Sequence, residues 1–344
     1  MGRGVKKRVV MRDIAERAGV HPSTVSLALR EHPSIPKETR ERIQRLAAEM
    51  GYRPDPAMSA LASYRKAHSP HPAAAPIAFV INARNEAELH ESHVHPQLIQ
   101  SARERAEELG YKLEVFGLES EYPHSAALDR VLQARGIQGV ILGALWHRQE
   151  MVQLDWDRYA VVKINQEPRE LPLDTVASNQ MRAVRLAMQR MRDKGLRRIG
   201  LAVAALDELH NNQLFTAGYF VEENDPRAPD FVPPLVFERR PWPDIRQEAV
   251  DWALRHQLDA VLCNWNNFDQ VAARAAEALG RPCRYVPLDA DAHTIRFGGV
   301  EQNHREVSRR AVNMIIGQLN TFRKGRPGSP MLSLVEPLWV DSTE

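Results

Sequence analysis

Three groups of residues carry types and spacings that could do chemistry. Ser23, Thr24 and Ser26 set small hydroxyls along a short helical stretch that opens at His21-Pro22. Hydroxyls beside a helix N-terminus, where backbone N–H groups point outward, suit phosphate or base-edge contacts. His90, His93 and His95, with Glu91 among them, have a spacing compatible with a metal. With no cysteine beside them, a solvated loop is the simpler reading, and no metal site is expected. The third group is rich in amides and indoles: Asn211-Asn212-Gln213, Trp242, Asn264-Trp265-Asn266, and Asp289 directly after Leu288. Amides, a carboxylate and ring faces suit a carbohydrate, although each Trp could equally be core.

No recognisable catalytic apparatus joins these groups. Neither G-x-G-x-x-G after a strand, G-x-x-x-x-G-K-[ST] nor G-x-S-x-G occurs. No spacing unites His and carboxylates as a triad, so an enzyme is not expected, and no cofactor is called for.

The elements that must position these residues are legible in the pattern. Residues 11–51 read as three short helices. The first, Arg12–Ala18, ends at Gly19, since glycine tolerates the left-handed turn after a helix. The second, Pro22–Leu29, opens on a proline, which fits a first helical turn. The third runs from about Pro36 to Met50, with Ile43, Leu46, Ala47 and Met50 at helical spacing. Ile14, Ala18, Val20, Val25 and Leu29 can meet in one small core. A helix, a glycine turn and a hydroxyl-rich second helix form a helix-turn-helix. After Gly51-Tyr52-Arg53-Pro54-Asp55-Pro56 comes a further eight-residue segment, Ala57–Tyr64, too short to be a stable helix alone. A Pro/Ala/His linker, 67–76, follows.

From Ile77 onward apolar strands alternate with amphipathic helices. The expected strands are Ile77–Ile81, Lys112–Phe116, Gly139–Leu142, Ala160–Ile164, Ile199–Val203, Ala260–Cys263 and Arg284–Leu288. The expected helices are Pro96–Leu109, Ser125–Ala134, Asn179–Lys194, Leu214–Glu223, Ile245–Arg255, Phe268–Leu279 and Asn303–Leu319. Such alternation means α/β architecture, with parallel sheets covered by helices on both faces. Ligands bind such sheets at the carboxyl ends of the strands.

Length and charge agree with a small head on a larger body. At 344 residues the chain has room for about two or three domains. Residues 1–66 hold 14 Lys and Arg against 7 Asp and Glu, whereas the rest hold 32 against 37. A basic head on a mildly acidic body suits a polyanionic partner; a solvated basic terminus is the other reading. Two cysteines exclude a disulfide framework and favour a reducing compartment. The longest apolar runs fall far short of the ~20 residues that span a bilayer. No apolar stretch follows the basic N-terminus as a secretory signal would. A soluble cytoplasmic protein is the expectation.

The head resembles that of the lactose-repressor (LacI/GalR) family of bacterial transcription regulators. The resemblance rests on Asp13-Ile14-Ala15, Ala18-Gly19-Val20, Ser23-Thr24-Val25-Ser26, Thr39-Arg40-Glu41-Arg42-Ile43 and Gly51-Tyr52-Arg53-Pro54 with Leu61 after it. It is dense over residues 9–66 and thin over the body. It implies a helix-turn-helix domain over 1–55, a hinge helix and linker over 56–76, and an effector-binding and dimerisation domain over 77–344. That last domain would be a periplasmic-binding-protein-like pair of doubly wound subdomains. One would comprise about 77–194 plus 304–330, the other about 195–303 plus 331–344.

The resemblance also implies roles. DNA would be met by His21, Pro22, Ser23, Thr24, Ser26, Leu27, Arg30 and Thr39, with Leu61 as a wedge in the minor groove. An effector would be met by His95, Asn165, Asn211, Asn212, Phe215, Trp242, Trp265 and Asp289. Departures stand out. Val10 replaces a helix-capping Thr, leaving Asp13 to compensate. Pro22 and Leu27 replace polar readers, so the outer half-site should depart from the family's common consensus. Phe215 replaces the expected effector-clamping Arg. The partners implied are double-stranded operator DNA, a small effector of carbohydrate type and a second copy in a homodimer, favoured over a tetramer. Repression is favoured over activation. Effector identity, induction versus corepression, and the target genes stay open. A sugar-binding transport protein would suit the body alone.

Overall fold

The computed structural model describes residues 9–29, 35–52, 75–82, 94–118, 121–122, 124–143, 152–166, 171–223, 231–290 and 295–342. Arg30, Leu61, the short segment 57–64, the linker 67–74 and the histidines at 90 and 93 lie outside these residues. No described helix is long and apolar enough to cross a membrane.

The head is three helices: α1 (Met11–Ala18), α2 (Pro22–Leu29) and α3 (Lys37–Glu49). Ile14, Ala15, Ala18, Val25, Ala28, Ile43 and Ala47 form its buried centre, with Val20, Leu29, Leu46 and Met50 packed around it. Gly19 ends α1 at φ 66°, where an L side chain is strained, and the Val20 N–H then donates to Ala15 O. At the start of α1 the Asp13 carboxylate accepts the Val10 N–H at 2.9 Å. This is half of a capping box, completed without a hydroxyl at Val10.

The first sheet of the body has the order β11-β5-β4-β3-β1-β2. Its strands are β1 (Ala75–Ile81), β2 (Tyr111–Gly117), β3 (Gly139–Leu142), β4 (Ala160–Ile164), β5 (Asp174–Ser178) and β11 (Leu332–Val335). Every pairing is parallel. Burial on both faces explains the nearly unbroken apolar runs. One face packs under α4 (Val94–Glu108) and α11 (His304–Asn320). The other packs under α5 (Ser125–Ala134) and the 3-10 turn Trp156–Arg158.

The second sheet has the order β7-β6-β8-β9, again parallel, from β6 (Ile199–Ala204), β7 (Leu235–Phe237), β8 (Ala260–Cys263) and β9 (Arg284–Pro287). Helices α9 (Trp242–Arg255) and α10 (Asp269–Leu279) cover one face; α6 (Gln180–Asp193) and α8 (Leu214–Glu223) cover the other. Helix α7 (Ala205–His210) follows β6, and β10 (Gly299–Glu301) pairs antiparallel with β12 (Leu338–Val340). The helical head and two doubly wound parallel sheets are the fold class expected from the sequence.

Two subdomain boundaries differ from expectation. Ala183, Val184, Ala187, Met188 and Met191 of α6 are buried with Ile199, Leu201 and Val203 of the second sheet. The first crossover therefore lies at Ser178–Gln180, before α6, and not near Gly195. Leu332–Val335 pairs with β5 and closes the first sheet, so the last crossover lies at Glu336–Pro337 and not near Met331. A helix's apolar stripe shows that it is buried without naming the sheet that buries it.

Candidate nucleic-acid interface and ligand cleft

Val25 and Ala28 turn α2 inward, leaving His21, Pro22 and Ser23 exposed and Thr24, Ser26 and Leu27 half-buried. The sequence-predicted contact residues thus share the open side of one helix, and Thr39 sits half-buried on the first turn of α3. His21 Nδ1 lies 2.7 Å from Ser23 Oγ and accepts the Ser23 N–H at 3.3 Å. A backbone N–H can only donate, so Nδ1 is the acceptor and the ring proton of the neutral imidazole sits on Nε2. His21 therefore caps α2 with one nitrogen and keeps a donor on the other.

The body's polar residues gather after the ends of β6, β7 and β8. The Asp207 carboxylate accepts both Asn264 Nδ2 and Trp265 Nε1 at 2.8 Å, and Asp207 O accepts Asn211 Nδ2 at 2.8 Å. Tyr285 OH donates to Trp265 O at 3.0 Å, and the Arg239 guanidinium lies 5.7 Å from the Trp265 ring centroid. Trp265 meets Phe237 edge-on, Phe237 stacks on Phe268, and Phe268 touches Trp242. Trp242 Nε1 in turn donates to Gln270 at 3.2 Å. The two tryptophans expected to stack on a ligand are thus ends of one aromatic chain, each indole N–H already held. Asn264 Oδ1 and Asn266 Oδ1 are buried without a partner among the described residues. Such acceptors call for a donor from outside the protein.

The remaining predicted residues scatter. Asp289 is bonded to His304 Nε2 at 2.9 and 3.1 Å, across the second crossover. Asn165 ends β4 in the left-handed region, φ 67°, and His95 is 2% exposed on the first turn of α4. Asn212, exposed at φ 55°, lines a separate cavity with Lys163 and Gln166. Phe215 is 2% exposed in the core under α6 and α8, not at a ligand surface. An apolar side chain on α8 turns to the core, where an Arg could not. Asp207, Glu208 and His304 were missed. Glu208 is buried; desolvation pushes its carboxyl up against the pull of the Thr216 N–H, which it accepts at 2.7 Å. The signal for Asp207 and Glu208 was weak: two acids directly after an apolar strand.

The three crossovers are cross-tied. Ser178 Oγ donates to Gln302 O at 2.8 Å, Asn179 Nδ2 to Glu336 Oε1 at 3.0 Å, Gln180 Nε2 to Gln302 Oε1 at 3.3 Å, and Gln302 Nε2 to Leu288 O at 2.9 Å. Any rotation of one subdomain against the other must pass through this short polar belt. Among the described residues no group of His, Cys, Asp and Glu could hold a metal.

Residues 10–55 match the model of bacterial regulatory proteins, lacI family. The HTH-type transcriptional regulator MalR of Streptococcus pneumoniae is 23% identical over 147 residues, 42% of each chain, so the match spans less than half the length of that relative. The fold is that of the transcriptional regulator CelR in its cellobiose complex, with a TM-score of 0.57 and 18% identity over 97% of this chain and 98% of that one. It is also that of the Lac repressor dimer bound to operator and the anti-inducer ONPF, with a TM-score of 0.53 and 19% identity over the same shares. The chain thus joins a helix-turn-helix that matches the lacI family model over residues 10–55 to a body with the two-sheet fold of these regulators.

Proposed function

We propose that the chain is a sequence-specific DNA-binding transcription regulator, a repressor, whose operator affinity is set by a small polyhydroxylated ligand held between the two subdomains. The observation that carries this reading is the open face of α2, presented by a packed head on a two-subdomain body whose crossovers are cross-tied. Helix α2 enters the major groove, His21 Nε2–H and the hydroxyls of Ser23 and Thr24 meet phosphates or base edges, and Leu27 packs on a thymine methyl. A homodimer places two heads on a two-fold operator, with Leu61 at its centre.

The ligand reading rests on the orphan carboxamide oxygens of Asn264 and Asn266, which suit hydroxyl donors, and on the nearby ring face of Trp265. The relatives lend it support: CelR was solved with cellobiose, and the Lac repressor with operator and ONPF. The ligand acts by linkage, shifting the subdomain equilibrium by no more than its differential affinity for the two orientations.

Selection of bound duplexes from a random library, using full-length protein at moderate salt, tests the reading. The expected product is a palindrome of about 14–20 base pairs, without strong guanine readout opposite Leu27. Its affinity should fall steeply with salt, as phosphate contacts release counterions. Binding without sequence enrichment, with or without metabolite extract, would overturn the regulator reading.

A further inference from the structure

The N-terminal edge of the second sheet is cationic, although the body as a whole is not: residues 67–344 hold 32 Lys and Arg against 37 Asp and Glu. In a parallel sheet all strands start on one edge, so β6, β8 and β9 open side by side, β6 and β9 about 10 Å apart. The chain reaches that edge from the end of α6 through Arg190, Lys194 and Arg197, and β9 itself begins on Arg284. Arg296 joins them, because the ring of its neighbour Phe297 lies 4.9 Å from the Arg284 guanidinium and 4.6 Å from Lys194 Nζ. All five cations are exposed. The Asp207, Asn264 and Trp265 cluster follows the other ends of these strands.

Most acids nearby are already engaged. Asp259 is held by Arg281 at 2.6 Å and accepts the backbone N–H groups of Arg197 and Arg198 at 3.0 and 2.9 Å. Glu222 and Glu223 take up Arg192 at 3.3 and 3.1 Å. Asp341 accepts Trp339 Nε1 at 2.8 Å and lies 3.9 Å from Lys194 Nζ. Two exposed acids remain, Asp193 and Glu277. Against them Arg190, Arg197, Arg284 and Arg296 carry no ion pair among the described residues. The positive field also reaches His256, whose pKa is lowered by burial first and then by Arg255 and Arg198. Stacking on Phe297 holds Arg284 and Lys194 in place, which reduces the ordering cost of a contact there.

Guanidinium forks match phosphate oxygens. A duplex presents one charge per about 1.7 Å of axis, so about six phosphates cross a 10 Å edge wherever it lands. An acidic protein surface would have to place its carboxylates one by one. A head bound to DNA also keeps further duplex at high effective concentration. We propose that this edge of the second subdomain binds the phosphate backbone of a second stretch of duplex, without reading sequence, while the head holds the operator. The proposal rests on the regulator reading. It gives the body a DNA contact of its own, apart from both the head and the ligand cluster, and lets one molecule hold two duplex segments.

The test saturates full-length protein with its selected operator and titrates a labelled duplex of unrelated sequence at about 50 mM salt, where phosphate contacts are strong. Anisotropy should report a second binding event that falls steeply with added salt. Arg197→Glu and Arg284→Glu should each weaken it roughly fivefold and lower its salt slope by roughly 0.9 or more, with operator affinity unchanged within about twofold. Arg284→Lys, which keeps the charge, should retain it. Arg130→Glu, an equal charge reversal on the exposed side of α5, should leave it unchanged. No second event, or equal losses from Arg130→Glu and Arg197→Glu, overturns the proposal. So does displacement of the duplex by poly-L-glutamate as readily as by unlabelled duplex, which would mark a surface for acidic protein. Failure to select any operator counts against the regulator reading instead; the Arg197 and Arg284 variants then still decide this one, because unspecific duplex binding by the head alone would not respond to them.

Discussion

In the proposed reading His21 serves both structure and recognition. Its Nδ1 satisfies a backbone donor at the start of α2, and its Nε2 carries the proton outward. The two roles separate by mutation. His21→Ala should cost the head about 1 kcal/mol, the usual worth of an N-cap, and should also weaken operator binding several-fold. His21→Asn restores a capping acceptor, so melting should recover while operator affinity does not. If the Ala variant binds the selected operator as tightly as the parent, Nε2 makes no contact. Asp207 is a second residue with two roles: it locks Trp265 and Asn264 at once, so the indole face and the Asn264 Oδ1 are presented in fixed positions. The two cysteines, Cys263 and Cys283, pack in the core of the second subdomain. Both are free and buried, and burial pushes the Cys283 thiol up to about 12 and Cys263 higher still.

At the scale of elements, close approach and charge pairing fix the helices. Gly218 of α8 sits so near the backbone of α6 that an added Cβ would lie 2.5 Å from Met181 O. Backbone cannot yield as a side-chain tip can, so Gly218→Ala should destabilise the protein by about 1–3 kcal/mol, seen as a lower melting temperature. A melt unchanged by the methyl would show that the two helices can part. The adjacent Tyr219 is buried, its hydroxyl 2.9 Å from Ile199 O and 2.7 Å from Val232 O, so this glycine–aromatic pair is a packing device. On the first subdomain Glu108 of α4 accepts both arms of Arg309 on α11, at 3.0 and 3.1 Å, and Arg105 at 2.6 Å. The hydrogen bonds from Arg309 and Arg105 lower the Glu108 pKa from 4.5 to about 2. A depressed folded-state pKa gives stability that is fully present above the unfolded value and is lost as pH falls through the folded one. Glu108→Gln should therefore lower the melting temperature slightly at pH 7, with the gap to the parent shrinking from about pH 4.5 toward pH 2. A gap that stays constant across that range would show the pair to be without weight.

At the scale of the molecule, the chain crosses between its two sheets three times, and the crossings hold one another. Ser178, Asn179, Gln180, Gln302 and Glu336 come from three distant stretches of sequence and meet in one belt. The Asp289–His304 contact spans the second crossing beside them. An assembly of two sheets on a narrow polar connection is suited to discrete relative orientations, the property that the proposed ligand control requires.

Local pattern determined much of this protein. The three head helices, the half capping box at Asp13, and Gly139–Leu142, Ala160–Ile164 and Ala260–Cys263 follow from periodicity and turn residues acting within a few positions of chain. So does the open face of α2. Five short strands went unread: Asp174–Ser178, Leu235–Phe237, Gly299–Glu301, Leu332–Val335 and Leu338–Val340. Asp174–Ser178 is polar at both ends, and the others are three or four residues long. Their pairing partners lie far away in sequence, as Leu332–Val335 pairs with a strand more than 150 residues earlier. Long-range packing also decided that α6 serves the second sheet, that Phe215 is core, and that Asp207 organises Trp265. Only the fold sets Lys163 beside Gln166 and Asn212 in one cavity. Sequence periodicity tells a residue which side of its own element it occupies, whereas the neighbour on that side is chosen by tertiary packing.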